Sequence, residues 1–122
     1  MKLAGKTVLV TGGTGFIGSH LVDALTDCRV RVLDDLSTGQ KSNLADALKR
    51  PDVTLIEGDI RDSACVAKAI AGVDVVFHLA CRGVRHSIGH PIENHHVNAT
   101  GTIMTLEAAR RARVADLASR AL

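Results

Sequence analysis

The stretch TGGTGFIG, residues 11–18, sets four glycines between an apolar run, TVLV, and a helical pattern, SHLVDAL. Glycine loses more backbone freedom on folding than any other residue, so its concentration at this junction marks a place where bare backbone is needed. A strand that turns into a helix through such a loop presents unpaired N–H groups and the positive end of the helix dipole. The chemistry this suits is the binding of a pyrophosphate. Two registers fit: Gly13, Gly15 and Gly18 satisfy G-x-G-x-x-G, and Gly12, Gly15 and Gly18 satisfy G-x-x-G-x-x-G. The usual partner of such a loop is an acidic residue about 20 residues on, which holds ribose hydroxyls. Asp34 stands at the end of the run RVRVLD, followed by Asp35. A carboxylate there repels a 2′-phosphate, which favours NAD over NADP. The simpler reading of Asp34 is a strand end that caps a turn.

The elements that must position these residues can be read along the chain. KTVLVT (6–11) reads as a strand rich in β-branched residues, and GFIGSHLVDALTD (15–27) as a helix with Ile17, Leu21, Val22 and Leu25 on one face. RVRVLD (29–34), DVTLIEG (52–58) and VDVVFHLA (73–80) read as further strands, and DSACVAKAIAG (62–72) as a helix stopped by Gly72. STGQKSNLADALKR (37–50) reads as a loop leading to a short helix that ends before Pro51. A polar, His-rich loop, CRGVRHSIGHPIEN (81–94), precedes a helical segment from about Pro91 to Arg113. This alternation predicts one α/β domain over 1–122: a Rossmann-type doubly wound parallel sheet of about four strands, order 3-2-1-4, with helices on both faces.

Composition excludes several other classes. With 46% apolar and 23% charged residues, the chain has the make-up of a globular domain. Fifteen basic against thirteen acidic residues leave a net charge of +2, too small for a nucleic-acid footprint. The cluster Arg110, Arg111 and Arg113 suits a helix C-terminus instead. No run reaches the length of a signal peptide or a membrane span, so a cytoplasmic protein without a membrane partner is expected. Cys28, Cys65 and Cys81, lacking C-x-x-C spacing, agree with a reducing compartment. His86 and His90 are four apart, with Glu93, His95 and His96 close by. Gly89 and Pro91 interrupt any helix that would align them, so no metal site is expected.

The segments TGGTGFIGSHL, DDLSTG, GDIRD, VFHLA and VNATGT, in this order and spacing, resemble the extended short-chain dehydrogenase/reductases. More narrowly, they are similar to the NAD-dependent sugar-nucleotide epimerases and dehydratases of the UDP-glucose 4-epimerase type. The likeness runs from Lys6 to about Arg113. It implies NAD as cofactor, a pyrophosphate loop of Gly12, Gly15, Phe16, Ile17 and Gly18, and Asp34 on the adenosine ribose. Asp35 stands where the family often has Asn. Leu36, Ser37, Thr38 and Gly39 are implied to surround the adenosine side, and Asp59 and Ile60 to contact the adenine. Leu79, Ala80 and Cys81 are implied to line the middle of the cofactor, with Cys81 where the family usually has Ala. Asn98 is implied to lie beside the cofactor and the active-site floor. Simpler roles stand next to these: Asp59 as a cap for the helix beginning near Asp62, Cys81 as a small filler, Asn98 as a turn-favouring residue near a helix start.

The resemblance also implies a reaction in which a hydride passes from a sugar carbon to the nicotinamide, with the Tyr of a Y-x-x-x-K motif as general base. The sequence contains no tyrosine, so no catalytic residue is assigned. ADLASRAL (115–122) has neither the β-branched run nor the length of the fifth strand that precedes the Tyr helix in the family. Ser119 is not read as a stand-in for the family's catalytic hydroxyl, because no strand end is expected to present it. The expectation is an incomplete NAD-binding N-terminal portion, with the fifth strand, catalytic Tyr helix and substrate domain absent. It would meet a nucleotide sugar only where the missing half is supplied. A stand-alone NAD-binding module, a subunit completed by a partner chain, and a non-functional remnant are the alternatives. An exposed fourth strand at the sheet edge would favour self-association.

Overall fold

Alternation of apolar side chains along one central strand decides the layers. The structure, a computed structural model, describes residues 2–119. In β1 (Thr7–Thr11), Val8 and Val10 join one buried cluster and Leu9 the other, all three with no exposed surface. A strand apolar on both faces must be covered on both. On the Val8 face lie Val22 of α1 (Phe16–Ala24), with Leu44 and Ala47 from two short 3-10 turns at Lys41–Leu44 and Ala47–Lys49. On the Leu9 face lie Val66, Ala69 and Ile70 of α2 (Ser63–Ile70) and Ala109 of α5 (Gly101–Arg111).

β2 (Arg29–Asp34), β3 (Val53–Glu57), β4 (Val75–His78) and β5 (Asp116–Ser119) complete a parallel sheet of order β3-β2-β1-β4-β5. The register sets Val8 between Val30 and Val75, and Thr11 between Leu33 and His78. All strands therefore end on one edge, where the loops that follow them converge.

Three local expectations change. The segment 37–50 forms the two 3-10 turns in place of a short helix. The loop expected over 81–94 contains α3 (Val84–Gly89) and the start of α4 (Pro91–His95), with Pro91 in the first helical position, where its missing N–H costs nothing. One turn of wider, π-type helix over His96–Thr100 then leads into α5.

The third change is β5, which was expected to be absent. Arg113 turns the chain out of α5 at φ +56°, and the Ala115 N–H bonds the Asp74 carbonyl at 3.0 Å. DLAS has weak strand propensity, but the open edge of β4 offers a row of backbone partners, and Leu117 packs on the Leu9 face. Pairing outweighs propensity, as is common in sheets. β4 is thus an interior strand, and the premise for self-association through an exposed fourth strand is removed. Among the described residues, no helix is long and apolar enough to cross a membrane.

Candidate cofactor cleft

The ends of β1 to β4 open onto a cleft at the edge where open α/β sheets bind ligands. The glycine turn makes one wall. Gly12 sits at φ +73°, and a Cβ there would stand 2.7 Å from the Ala80 backbone nitrogen, so the close approach of β1 to the end of β4 requires glycine. A Cβ on Gly18 would drive into the Gly12 carbonyl oxygen, which fixes how tightly α1 folds back on the turn. Gly13 instead packs on Val32 beneath the loop and does not line the cleft. The register facing the cleft is therefore Gly12, Gly15 and Gly18. Gly15 caps α1 in extended geometry, and Phe16, Ile17 and Gly18 follow it in the first turn, where helical N–H groups lack intrahelical acceptors.

Asp34, 9% exposed, braces this turn. Its Oδ2 accepts from the Thr14 N–H (3.0 Å) and the Thr14 hydroxyl (2.7 Å), and its Oδ1 accepts from the Leu36 N–H (2.9 Å). Oδ1 keeps the capacity for a second bond at the cleft wall. Thr14 is also held from behind, its carbonyl accepting from the Gln40 N–H and from Asn43 Nδ2 at 2.8 Å. Of the residues implied to surround the adenosine side, Thr38 lines the cleft. Gly39 packs against Thr14, Ser37 donates to Asp35, and Leu36 makes the turn at φ +61°; these three do not line it.

Asp59 and Ile60 line the far side, after β3. The Asp59 carboxylate is bound by the Arg61 side chain, which holds its pKa below the ordinary aspartate value against the opposing effect of burial. Asp59 is not the cap of α2: Asp62 is, accepting from the Ala64 and Cys65 N–H groups at 3.1 and 3.2 Å.

Leu79, Ala80 and Cys81 line the cleft after β4. Beneath them runs a buried relay whose proton directions follow from counting donors. The Thr11 hydroxyl oxygen accepts from the Leu79 and Ala80 N–H groups, so its own hydrogen goes to His78 Nδ1 at 2.7 Å. His78 then carries its proton on Nε2, which donates to Thr102 Oγ1 at 3.0 Å, and Thr102 donates to the Asn98 carbonyl. Burial pushes the His78 pKa down to about 4, which keeps the ring neutral.

Asn98 does not line the cleft. Its side chain clamps the backbone of Arg82, accepting from the N–H at 2.7 Å and donating to the carbonyl at 2.9 Å. Arg82 then reaches across to Asp35 Oδ2 at 2.8 Å. Burial raises the Asp35 carboxyl, but hydrogen bonds from Arg82 and Ser37 outweigh it and leave the pKa below the usual value. Sequence reasoning missed Arg82, and with it Leu33, Gly58 and Val97, all of which line the cleft. A charged residue one place past an apolar strand end was the available signal for Arg82; Val97 had none. Ser119 does close a strand, β5, contrary to expectation, yet it is not among the cleft-lining residues.

The helix break at Gly89–Pro91 does not scatter the histidines. His86, His90 and Glu93 each bring one potential ligand atom within 4.8 Å of the others. The misalignment expected from Gly89 and Pro91 does not occur. Cys28, Cys65 and Cys81 are free thiols.

The sequence profile of the NAD dependent epimerase/dehydratase family matches residues 8–119. The chain belongs to that family. It is 38% identical over 110 residues to the dTDP-glucose 4,6-dehydratase of Mycobacterium tuberculosis, covering 85% of this chain and 33% of the relative. The UDP-glucose 4-epimerase of Thermus thermophilus, solved with NAD, superposes with a TM-score of 0.80 at 37% identity, over 91% of this chain and 36% of the epimerase. The UDP-N-acetylglucosamine 4-epimerase of Methanobrevibacter ruminantium superposes with a TM-score of 0.87 at 35% identity, over 94% and 37%. The chain thus spans about a third of the length of these relatives.

Proposed function

We propose that the cleft binds NAD, and that the chain is the dinucleotide-binding portion of an enzyme acting on a nucleotide sugar. One observation carries this: Gly12, Gly15 and Gly18 bare the N-terminus of α1 on the same turn that the Asp34 carboxylate braces, so a pyrophosphate and an adjacent ribose have neighbouring partners. The Asp34 carboxylate at the ribose position disfavours a 2′-phosphate. Bound NAD would supply the hydride acceptor. The chain's residues bind and orient it: Phe16, Ile17 and Gly18 through backbone N–H groups, Asp34 through Oδ1, and Asp59 and Ile60 at the adenine end. Leu79, Ala80 and Cys81 shape the middle.

These 122 residues contain no tyrosine, so the phenol base of the family reaction must come from outside them. Catalysis on a sugar therefore needs a further segment or a partner chain. We assign the protein to the cytoplasm, in keeping with its free thiols. Calorimetric titration with NAD and, separately, NADP tests the reading. Saturable binding of NAD, tighter than that of NADP, is expected; a folded chain that binds neither overturns it.

A further inference from the structure

We propose that His86, His90 and Glu93 form a binding site for a divalent transition-metal ion of the zinc class, at the corner between α3 and α4. The inference is independent of the cofactor reading. Sequence spacing alone argues against it, because Gly89 and Pro91 break the helix. The structure carries the i, i+4 hydrogen-bond ladder across that break. The His90 N–H still bonds the His86 carbonyl at 2.9 Å, and the Asn94 N–H bonds the His90 carbonyl at 2.9 Å, so His90 belongs to both helical ladders. The two imidazoles stay on one side of the corner, ring centroids 4.9 Å apart, and α4 turns Glu93 back onto them. Glu93 Oε2 lies 3.3 Å from His86 Nε2.

Two imidazoles and one carboxylate are nitrogen and oxygen donors that zinc-class ions accept, with a fourth position left for water. Calcium and magnesium prefer all-oxygen sets. Tetrahedral bonds of zinc length place ligand atoms about 3.4 Å apart. The three groups therefore need to close in from the present 4.8 Å limit, a movement within reach of side-chain rotation. One observation favours that closure. The carboxylate is already oriented by a neighbour, with Oε1 facing the Arg82 guanidinium at 3.9 Å while Oε2 faces the imidazole. Such outer contacts orient ligands in metal sites. The corner itself is tied, since Asn94 Nδ2 donates to the Gly83 carbonyl at 3.0 Å.

The test is a titration of the metal-stripped chain with Co²⁺, followed by its visible d–d absorption, and with Zn²⁺ by calorimetry. One ion per chain is expected, with the intense bands of a four-coordinate site. His86→Ala and His90→Ala should each weaken binding at least about tenfold, while the double variant His95→Ala/His96→Ala leaves it unchanged. Far-UV circular dichroism checks each variant for folding. Glu93→Gln, isosteric and half-exposed, gives the same answer should a histidine variant misfold, and it should lose binding too. Absence of saturable binding by the parent chain overturns the proposal. So does binding that survives Glu93→Gln and the histidine variants, or that is lost with His95 and His96.

Discussion

Replacing Gly15 by alanine separates cofactor binding from folding, because Gly15 is the loop glycine with room for a side chain. Its φ of −75° suits any residue, and an added Cβ would meet the Gly12 carbonyl oxygen at 3.4 Å, ordinary contact. Alanine is a poorer helix cap than glycine but restricts the unfolded chain, and these effects oppose each other within about 1 kcal/mol. The Tm should move by no more than about 5 °C. Binding is another matter. A phosphate oxygen bonds a backbone N–H at about 2.9 Å, whereas a methyl carbon holds it off at about 3.5 Å. Losing one charge-assisted hydrogen bond costs about 1.5–3 kcal/mol, so NAD affinity should fall about 10- to 150-fold. Calorimetric titration reads the affinity and a thermal melt reads the stability. A folded Gly15→Ala chain that binds NAD within about threefold of the parent would falsify the claim that pyrophosphate rests on this turn.

Gly12→Ala should behave oppositely. It combines a left-handed φ with a 2.7 Å approach to Ala80 N, and a loss of about 2–6 kcal/mol is expected in urea unfolding. Asp62→Ala removes the cap of α2 and should cost about 1 kcal/mol in the same assay, with NAD binding unaffected. His78 carries a pH signature. Its folded pKa of about 4 lies below its ordinary 6.5, so the unfolded chain binds the extra proton first, and stability falls as pH drops from about 6.5 to about 4. The full loss is about 3 kcal/mol, seen as a falling urea midpoint; a flat midpoint across that window contradicts the buried, neutral ring.

The sheet was legible in the sequence because β1 to β4 are apolar and β-branched, and those patterns survive without knowledge of neighbours. The glycine turn and Asp34 were legible because their spacing is local. β5 was not, since DLAS becomes a strand only through the edge it meets. Thr38 and Gly39 are sequence neighbours with one implied role, yet one lines the cleft and the other packs on Thr14. The helix corner misled for a related reason: a break in helical periodicity says that side chains leave one face, and not where the next helix sends them. Arg82 and Asn98 act through each other, sixteen residues apart, and no spacing rule marks that pair.

These long-range contacts form a ring around the cleft. Thr11 on β1 bonds His78 on β4, His78 bonds Thr102 on α5, and Thr102 bonds Asn98 one turn earlier. Asn98 clamps Arg82, Arg82 pairs with Asp35 after β2, and its neighbour Asp34 returns to Thr14, three residues past Thr11. Each member is buried or half-buried, so leaving one partner unpaired costs about 1–3 kcal/mol. Cofactor affinity and fold stability are therefore coupled at Asp34, Asp35 and Arg82, the ring members that line the cleft. An Asp34→Ala chain that fails to bind NAD would not say which was lost, because the Thr14 N–H, the Thr14 hydroxyl and the Leu36 N–H lose their acceptor together. Gly15 stands on the turn but outside the ring, and a change there reaches the ligand without loosening the wall.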